Sequence, residues 1–225
     1  MTHLVALVTV GQAPRDDVVP GMREILGPEV QIMERGALDG LTLRQVLSLT
    51  VEPGDFPQET MLRDGTVVAP GMRHVVPRVK KSIDTVAREG AEIIVILCTS
   101  EWPNFASEKP IIYPWKVLQH LIRGLMVNGK IGVISPVKSD TQSSDSVKWT
   151  QAGFDVAIET ASPYSKGWRE EIRGAAERLS TRHVDIVVLD CIGYNNEMKG
   201  VVKDLIGRPV ILPCSIIARV VKELL

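Results

Sequence analysis

Two cysteines stand at matching places in a repeated segment. Cys98 ends "AEIIVILC" and Cys191 ends "VDIVVLDC", and the runs align without a gap: Glu92 on Asp185, Ile93 on Ile186, Ile94 on Val187, Val95 on Val188, Ile96 on Leu189. Each is a branched apolar strand pattern closed by a thiol. Two thiols set on either side of a substrate carbon that carries an acidic hydrogen can do two-base chemistry. One removes the proton from one face as thiolate, and the other delivers a proton to the opposite face. Cysteine suits the task because its reference pKa of about 8.5 is readily lowered by neighbouring donors. The alternative for any single strand-end cysteine is a small apolar filler. Two at equivalent repeat positions favour catalysis. Cys214, the third cysteine of the chain, has no repeat partner and reads as a packed thiol or helix-cap residue.

The elements that must position these thiols follow from periodicity. "HLVALVTV" (His3 to Val10) is apolar on both faces and predicts a buried parallel strand. The loop "GQAPRDD" follows, then a helix over Val18 to Leu26 with Pro20 in its first turn. Gln31 to Pro70 is the least regular stretch. Within it Thr42 can cap a helix carrying Leu43, Val46 and Leu47, and the Asp-Gly of "RDGTVVAP" predicts a hairpin. A helix from about Arg73 to Glu89 places Val75, Val76, Val79, Ile83 and Val86 on one face, and Gly90 ends it. The strand Ile93 to Leu97 then delivers Cys98.

The second half repeats the scheme. "KIGVIS" (Lys130 to Ser135) is a strand, followed by a loop and a helix containing Val147 and Trp149. "FDVAIE" is a strand, Trp168 to Leu179 a helix, and Asp185 to Leu189 the strand that delivers Cys191. "PVILP" is a further strand, and "CSIIARVVKELL" a closing helix. Alternating strands and helices imply parallel βαβ units. The expected fold is α/β, with two similar, pseudo-symmetric lobes. Both cysteines would lie at carboxyl ends of strands, where open α/β sheets bind ligands, with the active site in an interlobe cleft. The loops after them are expected to begin helices, so that a thiolate meets the positive end of a helix dipole.

Further residues could touch substrate. Arg15 follows the glycine loop and could clamp a carboxylate through its bidentate fork, or face solvent near Asp16 and Asp17. Thr99 and Ser100 could donate hydrogen bonds to substrate, cap the next helix, or both. Ile192, Gly193 and Tyr194 form the second loop beside Cys191, and Glu101 and Trp102 lie in the first. Asp190 could influence the thiol's pKa or be a solvated acid at the strand end.

Composition narrows the rest. The chain has 225 residues, 44% hydrophobic and 24% charged, with a net charge of −1. That balance gives no basic field for nucleic acid or an anionic membrane. Cys/His spacing of the zinc type is absent, as is CxxC. No apolar run approaches the roughly 20 residues that span a bilayer, and the first residues lack a basic signal-peptide region. The expectation is a cytoplasmic protein with free thiols and no metal. "GQAPRDD" has neither the lysine of a P-loop nor the spaced glycines of a dinucleotide fingerprint.

At the cysteine strands the chain resembles the aspartate/glutamate racemase superfamily. "TVGQAPRDDVVPGM", "LDCIGY" and "PVILPCSIIARVVKELL" resemble its AroM family, and the resemblance extends over essentially the whole chain. It implies two Rossmann-like lobes, residues 1–114 plus 212–225 and residues 115–211, with the last strand and helix crossing back to the first lobe. It also implies a small carboxylate substrate and no metal or organic cofactor. By position Cys98 with Thr99, and Cys191, match the superfamily's paired cysteines. Thr9, Gly11 and Gln12 match the first loop, which touches substrate. Two departures stand out: Ile192 replaces a usual threonine, and "TVGQAPR" replaces a usual Asp-Ser. Members of the AroM family need not keep both cysteines; this chain does.

Three functions follow as expectations. The first is a cofactor-independent racemase or epimerase using Cys98 and Cys191 on an amino acid or a derivative. The second is a one-cysteine isomerase or lyase, and the third a non-catalytic carboxylate binder. A homodimer is the default assembly for such a fold.

Overall fold

The computed structural model describes residues 2–125, 129–136 and 144–225. The loop expected after Ser135 falls largely on residues 137–143, outside the described residues. The chain divides into two compact units, the first comprising Met1–Cys98, Trp102–Pro114 and Ala218–Leu225, the second Thr99–Glu101 and Trp115–Ile217.

The first unit is built on β1 (His3–Thr9), α1 (Val19–Leu26), β2 (Val30–Gly36), α2 (Leu43–Leu47), β3 (Thr60–Met61), β4 (Val67–Val68), α3 (Met72–Arg88), β5 (Ile93–Leu97) and β6 (Ile111–Ile112). Its parallel sheet runs β2-β1-β5-β6. β1 and β5 are the central strands, and Val5 to Val8 and Ile94 to Ile96 are fully buried. This is why both read as unbroken apolar runs: each meets helices on two faces. α3 presents Val75, Val79, Ile83 and Val86 to the core, all fully buried.

Thr42 caps α2 in a full capping box, its side chain accepting from the Gln45 N–H while Gln45 reaches back to the Thr42 N–H. The Asp-Gly hairpin forms as well: β3 and β4 pair antiparallel, Met61 opposite Val67, and Gly65 turns at φ +84°. β2 is the strand that periodicity does not reveal. "VQIMERG" is an edge strand with one paired neighbour, so it carries polar residues on a half-exposed surface.

The second unit follows with α4 (Pro114–Leu125), β7 (Lys130–Ser135), α5 (Ser144–Gln151), β8 (Asp155–Thr160), α6 (Trp168–Ser180), β9 (Ile186–Leu189), α7 (Asn196–Ile206), β10 (Val210–Ile211) and α8 (Pro213–Glu223). Its parallel sheet runs β10-β9-β7-β8. Its core joins Leu118 and Ile122 of α4 and Trp149 of α5 to the strand residues Ile131, Val133, Ile186, Val188 and Ile211.

Taken in chain order within each unit, both sheets have the order second-first-third-fourth. β5 and β9 are therefore equivalent third strands; Cys98 directly follows β5, and Cys191 follows β9 after Asp190. One detail differs from the sequence expectation. The last strand, β10, pairs with β9 in the second sheet and does not return to the first unit. It is the chain from Ala218, within α8, that belongs to the first unit, where Lys222 Nζ donates to the Ile25 carbonyl at 2.9 Å.

Candidate active site

In the first unit, the carboxyl end of β5 sets Cys98 in a tight turn, its N–H donating to the Ile96 carbonyl at 2.8 Å. The thiol is partly exposed. It donates to Gln58 Oε1 at 3.8 Å. Gln58 Nε2 donates to the Pro57 carbonyl at 3.1 Å, and that bond fixes which end of the amide faces the sulfur.

The first loop, which was expected to meet substrate, makes several hydrogen bonds within the chain. Arg15 is buried, and its fork closes on Asp17, Nε to Oδ1 at 2.8 Å and Nη2 to Oδ2 at 2.6 Å. Its Nη1 donates to Thr9 Oγ1 at 2.9 Å. The bidentate face that could have clamped a substrate carboxylate is engaged by an internal one. Gln12 Nε2 donates to the carbonyls of Leu38 and Leu41, and its Oε1 accepts the Arg63 N–H. Gly11 lies against the β3 hairpin, where a Cβ would collide with the Met61 carbonyl and come within 2.6 Å of Thr60 Oγ1. Gly11 and Gln12 tie the end of β1 to the hairpin, just ahead of which lies Gln58.

In the second unit the end of β9 is a polar nest around a sulfur. Cys191 is buried. The Gly193 N–H donates to its Sγ at 3.5 Å, and the Tyr164 hydroxyl lies 3.6 Å from the same atom. Tyr164 comes from the loop after β8 and lies directly over Gly193: a Cβ there would sit 2.6–2.8 Å from the hydroxyl and ring atoms. Glycine at 193 is what admits the ring. Tyr194 is buried, its hydroxyl donating to the Ala161 carbonyl at 2.5 Å and its own carbonyl accepting from Cys214 Sγ at 3.5 Å. It braces the loop. Ile192 is buried as well.

Beneath this nest lies a charged pair. Asp190 does not face solvent, as a strand-end acid was expected to. It is 1% exposed and accepts from Lys148 Nζ at 2.7–2.9 Å and from Trp149 Nε1 at 2.7 Å. Thr99, also buried, donates its hydroxyl to the Asp190 carbonyl at 3.1 Å, and its own carbonyl accepts from Lys148 Nζ at 2.8 Å.

Helix dipoles do not reach the thiols as expected. No helix begins between Cys98 and Pro114, and α7 starts only at Asn196, capped by Asn195. Ser100 is half-buried and Glu101 exposed, while Trp102 is buried against Phe105. Two hollows of about 570 and 460 Å³ lie on the first unit, along α3 and α1, and neither is lined by a cysteine. Among the described residues no group of three or more His, Cys, Asp or Glu is placed to hold a metal. No described helix is long and apolar enough to cross a membrane.

Paired parallel sheets of this order define the racemase-like α/β fold, and solved structures of that fold are similar along nearly the whole chain. Allantoin racemase from Klebsiella pneumoniae is 14% identical at a TM-score of 0.65, covering 99% of this chain and 87% of that one. Glutamate racemase from Francisella tularensis, solved with D-glutamate, is 15% identical at 0.61, covering 99% and 81%. An unliganded arylmalonate decarboxylase is 13% identical at 0.60, covering 97% and 91%. The family model described as AroM protein matches residues 5–225, and the chain belongs to the AroM family. No curated protein sequence matches it significantly.

Proposed function

We propose that the chain is a cofactor-independent racemase or epimerase that moves a proton at the α-carbon of a small carboxylate, with Cys98 and Cys191 as the acid/base pair. The observation that carries this is the opposite hydrogen-bonding of the two sulfurs. Cys191 accepts from the Gly193 N–H beside the Tyr164 hydroxyl, the setting that holds a thiolate. Cys98 donates to Gln58, as a thiol does. Two-base inversion starts from one thiolate and one thiol and ends with their roles exchanged. In the forward turn Cys191 takes the α-proton, the electron pair passes into the substrate carboxyl as an enediolate, and Cys98 gives its proton to the other face. The carboxylate class is supported by the D-glutamate held in a structure of the same fold. Because the Arg15 fork closes on Asp17, the substrate carboxylate is assigned to hydrogen-bond donors of the Thr99 and Cys191 loops.

A one-cysteine isomerase or lyase is the second reading. It is favoured by the inequality of the two sites: Cys191 is buried in a polar nest, Cys98 is partly exposed with one weak contact. A decarboxylase shares the fold.

The test is incubation in deuterium oxide with a panel of amino acids, hydroxy acids and hydantoins, reading loss of the Cα–H signal by NMR. Exchange abolished in both Cys98→Ser and Cys191→Ser is the expected result. Exchange that survives Cys98→Ser but not Cys191→Ser selects the one-cysteine enzyme. Thermal stabilisation by a carboxylate with no exchange anywhere on the panel sinks both and leaves a binding protein.

A further inference from the structure

An ion pair buried as deeply as Lys148–Asp190, 1% and 0% exposed, is not explained by stability. Apolar residues of the same volume often serve a core as well, because each ion loses its water. What the pair does have is a particular set of neighbours. Asp190 immediately precedes Cys191, and its N–H donates to the Ile134 carbonyl of β7 at 2.8 Å. Thr99 immediately follows Cys98. Three contacts close a ring: Thr99 hydroxyl to Asp190 carbonyl, Lys148 ammonium to Asp190 carboxylate, Lys148 ammonium to Thr99 carbonyl. Trp149, adjacent in α5, holds the second carboxylate oxygen and so fixes its plane. The ring lies wholly in the second unit. Its two ends are each one peptide bond from a cysteine.

We propose that Lys148 and Asp190 are positioning residues that hold Thr99 against the carboxyl end of β9, so that one buried charge pair fixes the residue after Cys98 and the residue before Cys191. The proposal rests on the reading of Cys98 and Cys191 as the working groups. A charge is needed because Lys148 must satisfy a carboxylate and a carbonyl with one group; three donors on one small ammonium do so, and a methionine cannot. Neither residue touches substrate in this scheme.

The experiment reads the alkylation rate of each cysteine by peptide mass spectrometry after timed iodoacetamide treatment, with Tm measured alongside. It compares the native chain, Lys148→Arg and the charge-free pair Lys148→Met/Asp190→Leu. In the charge-free variant, Cys98 and Cys191 are expected to alkylate about tenfold faster as their strand ends loosen, and Cys214 to change by less than about twofold. Lys148→Arg, which keeps the charge, is expected to return both rates toward native. Asp190→Asn, close in shape to the native residue, carries the same comparison should the charge-free variant not fold. A rise shared equally by all three cysteines marks general loosening and overturns the proposal. So do native rates at Cys98 and Cys191 in a charge-free variant of native Tm. No turnover enters the readout, so failure of the racemase reading in the deuterium test is a separate result.

Discussion

Cys191 depends on two residues of unequal visibility. Its own position is readable from the repeat, because a thiol after a run of branched residues is a local pattern. Tyr164 is not readable in this way. It reaches the sulfur from the loop after β8, and nothing in "SPYSKG" marks the contact beyond an aromatic residue in polar company. Gly193 gives the complementary hint, since only a residue without Cβ admits the ring. Replacing Tyr164 by Phe removes the hydroxyl and keeps the ring. Alkylation of Cys191 at neutral pH is expected to slow about fivefold, the factor carried by one hydrogen bond of about 1 kcal/mol; an unchanged rate would show that the hydroxyl does not hold the thiolate. Asp190 is the converse lesson. A carboxylate at a strand end is ordinarily solvated, and only the tertiary arrival of Lys148 and Trp149 makes burial affordable to it.

At the level of elements, strands hidden on two faces announce themselves and edges do so unevenly, since β8 and β10 are legible as strands and β2 is not. β1, β5, β7 and β9 are apolar runs in the sequence because helices cover both sides. β2 mixes Gln, Glu and Arg with Ile and Met, since only one neighbour pairs with it. α5 misleads for a different reason: its Lys148 is fully buried, while lysine in a helix normally faces water. The energetic consequence is testable. Lys148→Met alone leaves Asp190 buried without its counter-charge, and is expected to cost about 3–5 kcal/mol, roughly 10 °C in Tm for a chain of this size. Adding Asp190→Leu removes the stranded charge, and calorimetry should recover most of that loss. A double variant as unstable as the single one would mean that shape, not charge, governs this site. The first loop shows how far position alone carries a site. Thr9, Gln12 and Arg15 were expected at the substrate by position, and their polar atoms are hydrogen-bonded within the chain, Thr9 to Arg15, Arg15 to Asp17, and Gln12 to Leu38, Leu41 and Arg63.

For the whole molecule, the repeated strand order is the property most fully written in the sequence, as two copies of helix, turn, strand and cysteine. The third cysteine lies outside that symmetry and responds to bulk conditions. Burial raises the Cys214 thiol above its ordinary 9.0, against hydrogen bonds from Ser215 that lower it. A thiol harder to ionise in the folded chain than in the unfolded one contributes stability below pH 9.0. That contribution is lost as pH rises through the raised folded value. Tm is therefore expected to fall as pH rises above 9.0, and to fall less steeply in Cys214→Ala. Equal slopes would remove Cys214 from the alkaline transition.

The path of α8 has its own consequence for how the chain is made. A ribosome releases the first unit's sheet early, and domains generally fold in that order. Yet residues 218–225 belong to that unit, and they emerge only after all of residues 115–217. Until then the Ile25 carbonyl lacks its lysine and the early unit is unfinished. The nascent protein must hold an incomplete half while the other is synthesised, which makes the interval before α8 arrives the time when a chaperone would find the most exposed apolar surface.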